Sequence, residues 1–227
     1  MAAAIQALID KIDNVEVLRD EIAAILLVEQ ASQQALAVTA DEDPQLWALR
    51  IFTERSNPWA EFVDSPNQLA ATPIVNVSVD NINYDLAASN VVERQRAAAV
   101  YHIDCYGYGV SADVPDAGHV VGDAKASLEA LRAVRLVRNI LMASVYTYLG
   151  KRGFVARRWI QSIQMLQPSQ DGQQMQHVVA ARISFEVLFN EFSPQYVGEA
   201  LELVSIQVER STSGEIYFTQ EFESSEP

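Results

Sequence analysis

The sequence is poor in the features that announce many functions. It has a single cysteine, Cys105, which excludes an intramolecular disulfide framework and suits a reducing compartment. Basic residues are few: 16 Lys and Arg stand against 30 Asp and Glu, a formal net charge of −14. That balance argues against sequence-independent nucleic-acid binding, which needs a positive surface. No apolar run is long enough to lead us to expect a bilayer span, and no membrane partner is expected. The opening MAAAIQALIDKID has an acidic flank and no basic start, so a signal peptide is not expected either. There is no internal repeat and no low-complexity tract. GxSxG and GxxxxGK[ST] are missing, and Gly107-Tyr108-Gly109 lacks the rest of a dinucleotide fingerprint.

What is present is apolar substance: 49% of the residues are hydrophobic, enough for a large core in one domain with extended arms. The organising stretch runs from Gly122 to Gly150. Asp123 is a natural N-cap and Gly150 a natural residue past the helix end, which predicts a helix about 40 Å long. Ala130, Val134, Val137, Leu141, Val145 and Tyr148 recur at helical spacing, while Leu136, Ile140 and Ala143 fall on another side. A helix apolar on two sides needs two neighbours, such as a sheet and another helix or subunit.

Around this helix the chain predicts α+β architecture. Residues 4–13 form a short amphipathic helix. Asp13 or Asn14 caps a second, with Val15, Leu18, Ile22, Ile25 and Leu26 as its stripe and its end near Ala37. Pro44 and its acidic neighbours break the helix, and residues 46–62 read as an irregular strand or hairpin about Ser56-Asn57-Pro58. Val75, Val77 and Val79 alternate with Asn76, Ser78 and Asp80 in a half-buried strand, followed by a polar connection over 81–90. A long strand over 92–109 places Tyr101, Ile103 and Cys105 on one face and His102, Asp104 and Tyr106 on the other. Residues 111–123 read as a loop. Strands follow over 153–168, 177–192 and 201–210, and a last one contains Ile216, Phe218 and Phe222. Short connections favour antiparallel pairing. The expectation is a mostly antiparallel sheet of four to six strands with the long helix and the N-terminal helices on one face. The expected divisions are a helical segment (1–40), an α+β core (41–210) and a C-terminal β arm with an acidic tail (211–227).

The search for chemistry finds no catalytic site. Strand alternation turns Cys105 away from His102 and Asp104, leaving a small buried thiol. Asp113, Asp116, His119 and Asp123 crowd one loop, with His119 and Asp123 at turn-adjacent spacing, but the loop lacks the rhythm of a calcium site and acids before a helix serve as caps. A metal-dependent enzyme using residues 113–123 is therefore the lesser alternative, and no cofactor is expected. Trp47, Phe52, Trp59 and Phe62 cluster in one segment and Tyr101, Tyr106 and Tyr108 in another, reading as core more than interface anchors. Charge is unevenly placed: between Lys125 and Arg158 only Glu129 is acidic, against eight Lys and Arg. Such an island either pairs within its own surface or meets the acidic surface of another copy.

Several stretches, TPIVNVSVDN, RAAAVYHIDCYGYG, RLVRNILMASVYTYLG, RWIQSIQMLQP and RISFEVLFNEFSPQ, together resemble the tail terminator (tail-completion) proteins of long-tailed bacteriophages. The resemblance spans residues 44–210 and is one of layout. It implies a helix-backed sheet assembled as a ring, usually a hexamer, on the head-proximal end of the tail tube, within the virion. The implied partners are sister copies, the tube protein, a head connector or neck protein and the tail sheath, with DNA only passing through the lumen. A neck protein docking on the portal side is the nearest alternative. The resemblance implies no catalysis and no cofactor. Beside it, the charge pattern suggests that Arg132, Arg135, Arg138, Arg157 and Arg158 meet Glu199, Glu202 and Glu209 of another copy. The last strand, with Ile216 and Phe218, could add to a neighbouring sheet edge.

Overall fold

Four long strands and one short one build one five-stranded sheet, in the spatial order Arg50–Thr53 (β1), Ile74–Asp85 (β2), Arg94–Tyr108 (β3), Val178–Phe192 (β9) and Val155–Leu166 (β6). The computed structural model describes residues 11–64, 72–85, 94–114, 118–167, 169–170, 173–174, 177–192, 203–209 and 216–223. Two short hairpins, β4 (Ala112–Val114) with β5 (Gly118–Val120) and β7 (Ser169–Gln170) with β8 (Gln173–Gln174), interrupt the connections. The 111–123 segment is thus not a plain loop. Three sheet pairings are antiparallel, but β1 runs parallel to β2, with Arg50 opposite Ile74. Of the irregular strand or hairpin expected over 46–62, the strand forms as β1 and the hairpin does not; after β1 the chain turns through Pro58–Ala60 into the short helix α2 (Glu61–Asp64).

Both long helices cover one face of this sheet, as an α+β fold requires. Helix α1 (Asn14–Thr39) starts at Asp13, whose carboxylate accepts from Val15 N–H at 2.9 Å. Leu18, Ile22 and Leu26 are fully buried against Val75, Val77 and Tyr101, and the Tyr101 hydroxyl donates to Val15 O at 3.1 Å. By length and a mean hydropathy of 1.2, α1 would suffice to cross a membrane, contrary to the expectation from unbroken apolar runs. Its buried stripe belongs to the common core.

Helix α3 (Gly122–Met142) lays Ala126, Ala130, Ala133, Val134, Val137 and Leu141 on β3 and β9. It is shorter than its sequence implies. Ala143 turns to an extended conformation, a 3-10 turn follows at Ser144–Tyr146, and Gly150 supplies a left-handed residue (φ 69°) to the next turn rather than to the helix end. The N-cap is Val121, not Asp123; the Asp123 carboxylate accepts from its neighbour Ala124 N–H instead. The close seat on β3 depends on glycine: a Cβ on Gly107 would lie 2.1 Å from Ala126 O, and one on Gly109 2.3 Å from Gly122 O.

The chain divides after Phe192, not at residue 210, and α1 belongs to the same unit as the sheet. The second unit, Ser193–Pro227, contains β10 (Leu203–Glu209) and β11 (Ile216–Glu223) as an antiparallel hairpin. Val204 lies opposite Phe222 and Val208 opposite Phe218. Within this unit β11 pairs with β10.

Candidate interaction surface

Burying one stripe of α3 leaves its arginines on the outside. Arg132, Arg135 and Arg138 recur every three residues and all are exposed. Arg132 is paired within its own helix, its guanidinium 2.7 Å from Glu129. Beside this row, α1 and α3 diverge enough to leave a groove of about 510 Å³. Its lining combines Glu29 and Gln33 of α1, Leu46 and Trp47 after the break, Arg132, Arg135, Leu136 and Ile140 of α3, and Val145 and Tyr146 beyond it. Leu136 and Ile140, expected on a second side of the helix, thus do face a second layer. Leu36, one turn on from Gln33, extends the same surface. The Tyr146 hydroxyl donates to Glu29, tying one end of the groove together.

This surface is apolar where solvent would favour polar groups. Val145 is 75% exposed, Leu46 64% and Leu36 57%. Scattered exposed leucines mean little, but large side chains gathered around one groove mark a contact surface. Sequence reasoning missed the groove because Leu46, Trp47 and Tyr146 reach it from outside both helices.

The other expected contact residues separate. Arg157 lies over the Trp159 ring, 4.7 Å from its centroid. Arg158 is spent inside the subunit: it donates to Tyr146 O and, at 2.7 Å, to Ala143 O, adding a second bond to carbonyls that accept from Leu149 N–H and Tyr146 N–H just past the end of α3. Burial lowers its pKa from the ordinary arginine value. It is a helix-end anchor, not a free contact cation. Glu199 and Glu202 lie outside the described residues; Glu209 ends β10 opposite Ile216, and Phe218 lies two residues along β11.

The sheet face away from the helices carries a different cluster. Asn76, Asp104, Arg182 and Gln164 form one row across four strands. Asp104, nearly fully buried, accepts two bonds from Arg182 and one from the Tyr106 hydroxyl. The hydrogen bonds to Asp104 raise the Arg182 pKa. Asn76 fastens the following turn by bonding Arg55 N–H and O. Trp59, Phe62, Tyr106 and Tyr108 pack beside it, so most of both aromatic segments is core. Asp104, Arg182 and Tyr106 satisfy one another while Asn76 holds the Arg55 backbone, which makes the cluster a fastening for the loop after β1, and Trp59 Nε1 is buried beside it without a partner.

Among the described residues, the reactive side chains singled out in the sequence do not come together at one site. Cys105 is fully buried and burial pushes its thiol up, disfavouring the nucleophilic thiolate. His119 sits 2.8 Å from Asp113 across an exposed hairpin, Asp116 lies outside the described residues, and no group of three metal-ligating side chains occurs among the described residues. Comparison with protein-family models finds no match, and comparison with curated proteins finds none either.

Proposed function

We propose that this chain is a structural subunit of a phage tail terminator ring, which caps the head-proximal end of the tail tube, stops its growth and docks it to the head connector. The observation that carries the reading is the apolar, arginine-edged groove between α1 and α3, whose exposed Leu46 and Val145, with Leu36 beside them, need a protein neighbour. The sheet backed by helices on one face agrees with the layout that the sequence resembles.

A ring closes when each copy offers two unlike surfaces related by a fixed rotation. The α1–α3 surface supplies one, and it carries Arg132 and Arg135 against the single acid Glu29 on a chain whose net charge is −14. The same acidic excess suits a lumen through which DNA slides, since like charge prevents sticking. The work is geometric, and it requires no cofactor and no turnover.

Negative-stain imaging of the purified full chain, alone and added to polymerising tube protein, tests this. Rings, and tubes that end in a cap and stop lengthening, are expected. Tubes that grow unchanged while the protein binds isolated portal rings would replace the reading with a neck protein on the portal side.

A further inference from the structure

The hairpin of the second unit poses a physical problem of its own. Its register sets Val204, Ile206 and Val208 across from Phe222, Gln220 and Phe218, a row almost wholly apolar. Glu221 and Glu223 alternate with that row along β11. A lone two-stranded hairpin is marginal in water and needs a hydrophobic surface to lie against. Its charge is equally one-sided: residues 193–227 hold seven acids and one arginine.

The α1–α3 groove offers an apolar floor of Trp47, Leu136, Ile140 and Val145 beside Arg132 and Arg135, with Glu29, bonded to the Tyr146 hydroxyl, as its one acid. The lengths agree as well. Phe218 and Phe222 are four residues apart on a strand, about 13 Å. The groove follows α3 from Arg132 to Ile140, eight residues or about 12 Å of helix.

We infer that the groove of one copy receives the β10–β11 hairpin of a second copy, with Phe218 and Phe222 as anchors and Glu221 and Glu223 as the partners of Arg132 and Arg135. This rests on the ring reading and names the contact that closes it. The contact is heterologous, groove to hairpin, so each copy is a donor on one side and an acceptor on the other, as a closed ring demands. Charge pairing sets the register and the apolar row supplies the area. Arg158, committed to the end of α3, takes no part.

The test uses full-length chains in sedimentation velocity. Two variants are made, Arg135→Glu and the pair Glu221→Lys with Glu223→Lys. Each alone is expected to weaken assembly at least about tenfold, leaving monomer where the wild type is assembled. Mixed in equal amounts they are expected to regain the wild-type mass, because the reversed groove of one matches the reversed hairpin of the other. A chain carrying all three changes is expected to assemble alone. Recovery by the triple variant without recovery on mixing means that the hairpin fills the groove of its own chain, and it overturns the inference. So does wild-type mass in either separate variant, or monomer in both the mixture and the triple variant. In those cases the wild-type ring still stands, whereas a wild type that is monomeric both alone and with tube protein removes the ring reading too.

Discussion

Asp104 on β3 and Arg182 on β9 are directly opposed in the sheet register, and the guanidinium grips the carboxylate through Nε at 2.7 Å and Nη2 at 2.8 Å. The acid is nearly removed from solvent and the arginine about one-third exposed. Removing one partner strands a buried charge, whereas replacing both removes the desolvation cost as well. Arg182→Met is therefore expected to lose about 3 kcal/mol of unfolding free energy. The double change Asp104→Leu with Arg182→Met is expected to lose clearly less, as chemical denaturation would measure. Equal losses would mean that the pair itself, rather than the stranded acid, carries the stability.

Alkaline pH offers a second check. Burial pushes the hydroxyls of Tyr101 and Tyr106 up, with nearby Asp13 and Asp104 respectively adding to the effect. A raised folded value means that the folded chain holds its proton where the unfolded chain has already lost it. The stability from these neutral phenols is full below about pH 10, the unfolded value, and falls as pH rises above it. Thermal unfolding between pH 8 and 11 should show that decline, and Tyr101→Phe should flatten it while costing about 1 kcal/mol at neutral pH through the lost bond to Val15 O.

Gly107 is expected to resist even the smallest side chain. Its added Cβ would lie 2.1 Å from Ala126 O and 2.5 Å from Ala130 N, both backbone atoms of α3 that have no rotamer to escape into. Gly107→Ala should therefore lift the helix off β3 and cost about 1–3 kcal/mol, read as a lower melting temperature. The same change at Gly118, whose added Cβ meets nothing within 4 Å, tests backbone strain alone because its φ is 71°.

Arg158 separates folding from assembly. Arg158→Ala removes the side-chain donor from Ala143 O and Tyr146 O, which keep their bonds from Tyr146 N–H and Leu149 N–H, at a cost of about 1 kcal/mol. Lysine lacks the planar fork that reaches both carbonyls and should restore little. If instead the melting temperature holds and only the oligomer is lost, Arg158 is a contact residue after all.

Much of the element content was legible in the sequence because it is local. The alternation of Val75 and Val77 with Asn76 and Ser78, and of Ala181, Ile183 and Phe185 with Arg182 and Ser184, decides which side of each strand is buried. The Asp13 cap and the spacing of Leu18, Ile22 and Leu26 determine α1 in the same way. Acidic character, the lone buried thiol and the arginine row on α3 are likewise properties of the chain read in order.

The tertiary structure decided what depends on residues far apart in that order. The parallel edge strand β1, the end of α3 held by an arginine from the next strand, and the pairing of Asp104 with Arg182 across 78 positions all arise from distant segments meeting. Local periodicity states that a face must be covered but not by what. Only folding brings Glu29, Trp47, Arg135 and Tyr146 around one groove, because the closing contacts form between surfaces and not between neighbours in sequence.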